Sequence, residues 1–257
     1  MNPTATRRVT VIGSTGLIGS QLVQNLAAAG HRIVEVSQAT QADVFTGEGL
    51  DEALAGSDVV IDVVNSATPD DSAEAFFEQT SANLSAAAAA AGVGHHVVLS
   101  IVGADLLAPI AGYMRGKVAQ EAAAAASGVP WTVVRSTQFH ELTDGIVQSL
   151  VVGGEVRVPV ASIQTIASAE LVEILADIAV GDPLGAIHEV GGPQRMSFAD
   201  MARVVLGHQH RDLHVVEDPT VGYFGLPIEP TTLVPGDTAQ RGTIHLVDWL
   251  AGVGVSG

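Results

Sequence analysis

Apolar positions in the first half of the chain fall into two patterns, short unbroken runs and longer alanine-rich stretches. Val9–Ile12, Arg32–Val36 and Asp58–Val64 read as strands. The last of these has almost no polar face, which suits a parallel strand covered on both sides. Leu17–Ala29 predicts a helix ended by Gly30, and Asp71–Ala91 predicts one ended by Gly92. The second of these helices closes on six consecutive alanines, Ala86–Ala91. Val97–Leu99, Tyr113–Ala126 and Trp131–Arg135 continue the alternation as strand, helix and strand. Strands that alternate with helices at this spacing imply βαβ units. The expectation is an α/β fold, a Rossmann-like doubly wound parallel sheet.

The pattern loosens in the second half. Val156–Val160 and Ile187–Val190 read as short strands. Ala167–Val180 and Ser197–Leu206 read as helices, with Ser197 at a capping position. After Leu213 the chain is rich in proline and glycine up to a short apolar stretch, Ile244–Leu250. The pattern predicts a sheet core over residues 1–155. Residues 156–257 would form a small C-terminal lobe on the substrate side, integrated with that core.

Composition narrows the field. Of 257 residues 47% are hydrophobic and 15% charged, which excludes a disordered chain. No cysteine is present, so disulfides, thiolate metal sites and a cysteine nucleophile are excluded. A net charge of −17 argues against sequence-independent nucleic-acid binding and against anionic membranes. No apolar run is long enough to span a bilayer. The opening Met1–Arg8 has the pattern of neither a secretory signal nor a transit peptide, and a cytoplasmic location is expected.

The densest signal is Val9-Thr10-Val11-Ile12-Gly13-Ser14-Thr15-Gly16-Leu17-Ile18-Gly19, which joins a strand to a helix. Gly13 permits the tight turn, Gly16 lets the backbone approach a pyrophosphate, and Gly19 lets helix and strand pack closely. Glycines at this spacing say little alone; here they follow a strand and open a helix. An NAD site usually adds an acidic residue after the second strand. Ser37 and Gln38 stand there instead. No Lys or Arg occurs between Arg32 and Arg115, so a 2′-phosphate would rely on Ser37, Gln38, Thr40, backbone amides or Arg32. The expected cofactor is NAD(P), tilted slightly toward NADP. Asp43 and Val44 fall where a chain under the adenine would run, with a structural role for Asp43 as the alternative. Asn65, Ser66 and Ala67, after the third strand, are further cofactor candidates, as are Ser136 and Thr137 after the strand that begins at Trp131.

Lys117 is the only lysine in the chain, and it follows Tyr113 by one helical turn. Ser100 ends the strand Val97–Leu99, and strand ends are where α/β sheets place ligands. A phenol titrates near ~10, and a nearby ammonium would lower that value. Tyr113 would then pass a proton to a carbonyl oxygen held by Ser100, while Lys117 would also bond the nicotinamide ribose.

These residues resemble the short-chain dehydrogenase/reductase superfamily, and more closely its atypical, NmrA-like NAD(P)-binding branch. The resemblance rests on Gly13–Gly19, then Gly47-Glu48-Gly49-Leu50 leading to Ala55–Val60. It continues through Gly92–Ser100, Tyr113 with Lys117, Gly128–Trp131 and Arg135–Phe139. It implies a cofactor over Gly13–Gly19 and a catalytic set of Ser100, Tyr113 and Lys117. The arginine that many such proteins carry after the second strand is Gln38 here. Some members of the branch bind cofactor without turnover.

Phe139, His140 and Tyr223 are candidate substrate contacts, with structural roles as the alternative for His140 and Tyr223. A structural role is favoured for His95 and His96. His208, His210 and His214 match no zinc spacing, and no metal site is expected. The leading function is an NAD(P)-dependent oxidoreductase that moves hydride between nicotinamide and a small carbonyl or alcohol. A non-catalytic cofactor sensor and a non-redox isomerase or epimerase are the alternatives. The sequence does not fix an oligomeric state.

Overall fold

A computed structural model of the chain describes residues 6–68 and 70–252; Met1–Ala5, part of the opening stretch read above, lie outside them. The elements begin with β1 (Arg8–Ile12), α1 (Leu17–Ala28), β2 (Arg32–Val36), α2 (Leu50–Leu54), β3 (Val59–Asp62) and α3 (Ala73–Ala90). They continue with β4 (His95–Ile101), α4 (Ala104–Leu107), α5 (Gly112–Ala126), β5 (Trp131–Ser136) and α6 (Thr143–Ser149). Then come β6 (Val151–Val152), β7 (Glu155–Val158), β8 (Ser162–Ile163), α7 (Ser168–Val180), β9 (Ile187–Gly191) and β10 (Met196–Ser197). The last are α8 (Phe198–His208), β11 (His214–Glu217), β12 (Gln240–Arg241) and α9 (Leu246–Leu250). Among the described residues no helix is long and apolar enough to cross a membrane.

Seven strands form one sheet in the order β12-β9-β5-β4-β3-β1-β2. The pairings of β1 with β2 and β3, and of β3 with β4, are parallel. The fold class is therefore α/β and Rossmann-like, as the alternation predicted. Strand order reverses at β1, with β2 laid on one side and β3 on the other. At that reversal Ile12 stands opposite both Val36 and Asp62. Open α/β sheets bind ligands beyond the carboxyl ends of strands at such a point.

Alternation along paired strands assigns the faces. Ile12, Val60, Asp62, His96, Val98 and Ser100 share one face. There Ile12 and Val60 form a core with Leu50 and Leu54 of α2 and Leu84 and Ala88 of α3. The alanines of α3 and Gly116 of α5 let these two helices approach closely. A Cβ on Gly116 would lie 2.6 Å from the Phe77 ring. His95 points to the other face, where its Nδ1 meets the Ala179 carbonyl of α7 at 3.2 Å. Its Nε2 meets Thr132 Oγ1 at 2.9 Å. With both ring nitrogens paired, the imidazole is tolerated inside a strand, and β4 starts at His95 rather than at Val97. Burial holds the pKa of His95 and of His96 below the usual histidine value.

The chain gathers into two compact units. The first contains the described residues up to Ser100, with Ala111–Arg135 and Val172–His188. The second contains Ile101–Ile110, Ser136–Leu171 and the residues from Glu189 onward. The chain thus passes between units several times. Within the second unit β7 pairs antiparallel with β6 and parallel with β11, and β8 pairs with β10. β11 occupies part of the proline- and glycine-rich stretch for which no element was expected. α8 buries Phe198, Met201, Val205 and Leu206.

Candidate functional site

The turn between β1 and α1 is tied to the end of β2. The Gly13 and Ser14 N–H groups both donate to the Val36 carbonyl, at 2.8 and 3.2 Å. Gly13 has φ of +88°, and a Cβ there would lie 3.0 Å from the Val63 carbonyl oxygen. A Cβ on Gly19 would overlap the Gly13 carbonyl oxygen. The backbone itself demands these two glycines. Gly16 is different. Its φ of −73° and ψ of 173° suit any residue, and a Cβ would meet only the Gly13 oxygen, at 3.4 Å. Gly16 caps α1 without a side-chain bond, and the first N–H groups of the helix have no intrahelical acceptor. A bare helix start behind a small residue that the fold does not require fits a pyrophosphate.

A cleft of about 700 Å³ opens here, within the size range of small-molecule sites. Gly13, Thr15, Gly16, Ser37, Gln38, Asp43, Val44 and Asn65 line it, all expected from the sequence. Other expected residues build the turns around it. Ser14 is buried and its hydroxyl reaches the Val36 carbonyl at 3.4 Å, Ile18 and Gly19 are buried in α1, and Leu17 is exposed. Ser66 accepts the Thr68 N–H at 3.3 Å, and Ala67 is exposed beside it.

Ser37, Gln38 and Thr40 form the wall beyond β2. Thr40 folds back, its hydroxyl donating to the Ser37 carbonyl at 2.8 Å and accepting the Ser37 N–H at 3.0 Å. No Lys or Arg is among the described residues lining the cleft. Arg32 stands at the far end of β2, opposite Arg8. Four residues of strand, roughly 13 Å, separate it from Val36, which removes it as a partner for a 2′-phosphate. Asp43 accepts the Phe45 N–H at 2.7 Å and so shapes its own loop while lining the cleft. Among the wall residues that sequence reasoning missed are Phe45 and Phe76, whose rings stack at 5.9 Å. The signal available was their aromaticity in a chain with only 4% aromatic residues.

Tyr113 sits in the first turn of α5. Its hydroxyl donates to Asn65 Oδ1 at 2.7 Å, which joins the phenol to a cleft-wall residue. Its ring packs edge-on against Phe77 at 5.5 Å. Burial pushes its pKa up, with the Asn65 bond opposing. The expected lowering by the Lys117 ammonium is absent, because Lys117 turns inward. Its Nζ donates to the Leu99 carbonyl at 2.7 Å and to Gln120 Oε1, and lies 4.9 Å from the Phe77 ring centre. Burial brings the Lys117 pKa down to about 8, against the opposing pull of Asp62 and Glu121.

Ser100, at the end of β4, donates to Glu121 Oε1 at 2.5 Å. Glu121 in turn takes two bonds from Arg135, Nε to Oε1 at 2.9 Å and Nη2 to Oε2 at 2.7 Å. All three side chains are buried. Sequence reading named Ser100 and Lys117 but missed Asp62, Gln120 and Glu121, which hold them. A signal was present: Gln120 and Glu121 interrupt an alanine-rich helix one turn after Lys117.

In the second unit, Ser136 donates to the Thr137 carbonyl at 2.9 Å, and both residues are buried. His140 is 1% exposed, with its ring nitrogens on Thr165 Oγ1 at 2.8 Å and the Ile244 carbonyl at 3.1 Å. Phe139 pairs by backbone with Ile166. Tyr223 packs against Phe198 and Phe224. Within this unit His140 and Tyr223 have the surroundings of core residues.

The glycine turn, the strand-order reversal and the cleft define a Rossmann-type dinucleotide-binding unit. The chain belongs to the NAD(P)H-binding family, whose model matches residues 13–177. It is 32% identical over 224 residues to (4-alkanoyl-5-oxo-2,5-dihydrofuran-3-yl)methyl phosphate reductase of Streptomyces griseus subsp. griseus, covering 77% of this chain and 73% of that protein. Among solved structures it resembles the Bordetella bronchiseptica enzyme WbmG in complex with NAD and UDP. The TM-score is 0.73 at 18% identity, over 96% of this chain and 94% of that one. It also resembles the Citrobacter sp. triphenylmethane reductase complexed with NADP(H). Here the TM-score is 0.61 at 18% identity, over 83% and 79% of the two chains. These structural likenesses bear on the fold, the Rossmann-like α/β fold that the sequence motifs pointed to.

Proposed function

We propose that the chain reduces a small carbonyl compound, or oxidises the matching alcohol, with Tyr113 as the proton donor. The chain is an NAD(P)-dependent enzyme of the oxidoreductase type. The observation that carries the reading is the bond from the Tyr113 hydroxyl to Asn65, which ties the phenol to the wall of the glycine-lined cleft. When bound, NAD(P)H supplies hydride to the carbonyl carbon. The bare start of α1 holds the pyrophosphate, and Ser37, Gln38 and Thr40 face the adenosine ribose. Tyr113 releases Asn65 and gives its proton to the substrate oxygen as that oxygen gains charge; solvent restores the proton. Lys117 lies on the inner side of the Phe77 ring against which Tyr113 packs, and it serves the phenol through that packing rather than by a direct contact. Ser100 has its proton committed to Glu121, so it contacts the substrate oxygen as a donor only by exchanging that bond.

Because the ribose wall is uncharged apart from Asp43, discrimination between NAD and NADP stays within about tenfold, or ~1.4 kcal/mol. The tilt toward NADP rests on the neutral donors of Ser37 and Gln38, with Thr40 bracing Ser37, and Gln38→Arg strengthens it through a charge-assisted contact. An NADP/NAD affinity ratio unmoved by Gln38→Arg would show that this residue does not face the ribose.

The test of the main reading is stopped-flow hydride transfer across ketones, quinones and the phosphorylated furanone named for the Streptomyces relative. Tyr113→Phe lowers turnover by roughly 10²–10⁴ and leaves cofactor affinity nearly unchanged. Gly16→Val abolishes cofactor binding in a folded chain, since its side chain fills the pyrophosphate's approach. Full turnover in Tyr113→Phe would defeat the proton-donor assignment. Tight cofactor binding with no turnover on any substrate would favour a sensor, and product formed without net cofactor change an isomerase.

A further inference from the structure

The buried face of α5 carries a hydrogen-bonded chain that the reading above leaves unused. Asp62, the last residue of β3, accepts Gln120 Nε2–H at 2.7 Å. Gln120 Oε1 in turn accepts the Lys117 ammonium. Asp62, Gln120 and Lys117 are 2%, 1% and 4% exposed, so bulk water does not replace these bonds. We propose that Asp62, acting through the Gln120 amide, is a positioning residue that fixes the place and the charge of the Lys117 side chain.

The argument is one of donors and acceptors. Lys117 gives one N–H to the Leu99 carbonyl and one to Gln120. A neutral amine also has two N–H groups, so these bonds do not by themselves require the charged form. The third proton is the one that makes the group an ammonium, and its retention depends on the field around it. A carboxylate placed directly on Nζ would hold that proton firmly and occupy the N–H that the site needs. Asp62 stands one amide further away. The Gln120 dipole is fixed by two charged ends, its N–H on Asp62 and its carbonyl on Lys117, so it cannot flip without breaking both bonds.

The other charged or titratable groups near Lys117 are accounted for. Glu121 of α5 is paired with Arg135 of β5. His96 of β4 lies on the face shared with Asp62, and burial favours its neutral form. Tyr113, on the same helix, is turned to Asn65. Asp62 is thus the anion whose hydrogen-bonded path leads to Lys117. The inference rests on the reading of Lys117 as part of the proton-donor machinery, and its test separates the two.

Lys117 is the sole lysine of the chain, so lysine labelled with ¹³C at Cε and ¹⁵N at Nζ gives one side-chain resonance in the intact protein. Its titration needs neither substrate nor cofactor. Asp62→Asn keeps the shape and an acceptor for Gln120 but removes the charge. The lysine midpoint then falls by about one pH unit, the lower end of what an opposite charge confers. Gln120→Glu combined with Asp62→Asn places the one carboxylate directly on Nζ, with the new amide at 62 donating to it, and raises the midpoint by a similar amount. That double variant keeps one buried carboxylate beside Lys117, so it tests the idea even where Asp62→Asn alone fails to fold. Opposite displacements in the two variants establish the relay; unmoved midpoints in both overturn it. The alkaline limb of the pH–rate profile follows the lysine midpoint in each variant if Lys117 serves turnover. A resonance that moves while Tyr113→Phe keeps full turnover leaves the relay standing and defeats the proton-donor reading.

Discussion

Helices α5 and α8 bury faces of opposite character. On α8 the inward positions are Phe198, Ala199, Met201, Ala202, Val205 and Leu206, an apolar stripe at the usual three- and four-residue intervals. On α5 the inward positions include Gly116, Lys117, Gln120, Glu121 and Ala124, at similar intervals but with polar groups at the centre. Burial on α8 contributes to stability through apolar area removed from water. On α5 burial strips water from charges, and only good pairing offsets that loss. The pairing is extensive: Lys117 has two acceptors, Gln120 bridges to Asp62, and Glu121 meets both Ser100 and Arg135. A polar inner face on a helix whose first turn meets the cleft wall through Tyr113 and Asn65 fits the role proposed for α5, whereas the inner face of α8 is ordinary apolar core.

The largest effect that would break this contrast is on the ion pair. Glu121→Leu leaves the Arg135 charge buried without the carboxylate it now meets, which costs about 3–5 kcal/mol. Glu121→Leu combined with Arg135→Met removes both charges and restores most of that loss, because apolar replacements of buried pairs are often neutral. Urea denaturation of the two variants measures the difference. A single variant costing under ~1 kcal/mol would mean that water reaches the pair and that α5 is not the polar-cored helix described. On α8 the matching change is Met201→Ala, at a fully buried position. It costs about 2–5 kcal/mol as a cavity, while turnover per folded molecule stays the same.

The next effect is smaller and depends on pH. Lys117 titrates near 8 in the folded chain against an ordinary lysine value of 10.5. Between these values the unfolded chain binds a proton that the folded chain does not, so stability rises with pH across this window. Below about 8 both states are protonated and the cost of the buried ammonium is fully present. Above 10.5 both are neutral and it is gone. Urea midpoints at about pH 7.5 and pH 9.5 differ by of order 1–2 kcal/mol in favour of the higher pH. Lys117→Met flattens that rise. A stability that falls across the window in the native chain would place the lysine in water.

The contrast also explains what the sequence revealed. Patterns that obey the rule of apolar groups inward were legible: β1 to β3, the long helix over Ala73–Ala90, and the capped start of α8. The glycine turn was legible because each glycine answers a separate steric demand. Lys117 and Tyr113 were visible by rarity and spacing. Their supports were not, since Gln120 and Glu121 read as a solvent face on any helix whose polarity is assumed ordinary. Asp62 was hidden for a related reason, as a lone polar residue inside the apolar run Asp58–Val64. His95 and His96 were left outside β4 because a strand reading discounts imidazoles, and the pairing of His95 to Ala179 and Thr132 is a tertiary fact. In the second unit the two-residue strands β6, β8, β10 and β12 carry no period to read.

The smallest effect concerns how the two helices begin. α8 is capped from within: Ser197 Oγ accepts the Asp200 N–H at 3.0 Å and donates to the Asp200 carboxylate at 2.8 Å. α5 has no side-chain cap of its own, and its first N–H, on Gly112, donates to Asp71 Oδ1 at 2.6 Å. Asp71 comes from the segment just before α3, and a Cβ on Gly112 would press against it. Ser197→Ala therefore costs about 1 kcal/mol, the usual worth of a cap, and leaves turnover untouched. Asp71→Ala costs no more, because its carboxylate is largely exposed and water replaces it. Its effect falls on function, since Gly112 precedes Tyr113 and a loosened first turn lets the phenol leave Asn65. Paired measurements of melting temperature and of kcat for these two variants carry the comparison to its limit. Equal losses of stability with kcat lowered only in Asp71→Ala would show that even the first turn of α5 serves the site. A lowered kcat in Ser197→Ala would show that α8 is not the purely structural helix its apolar face implies.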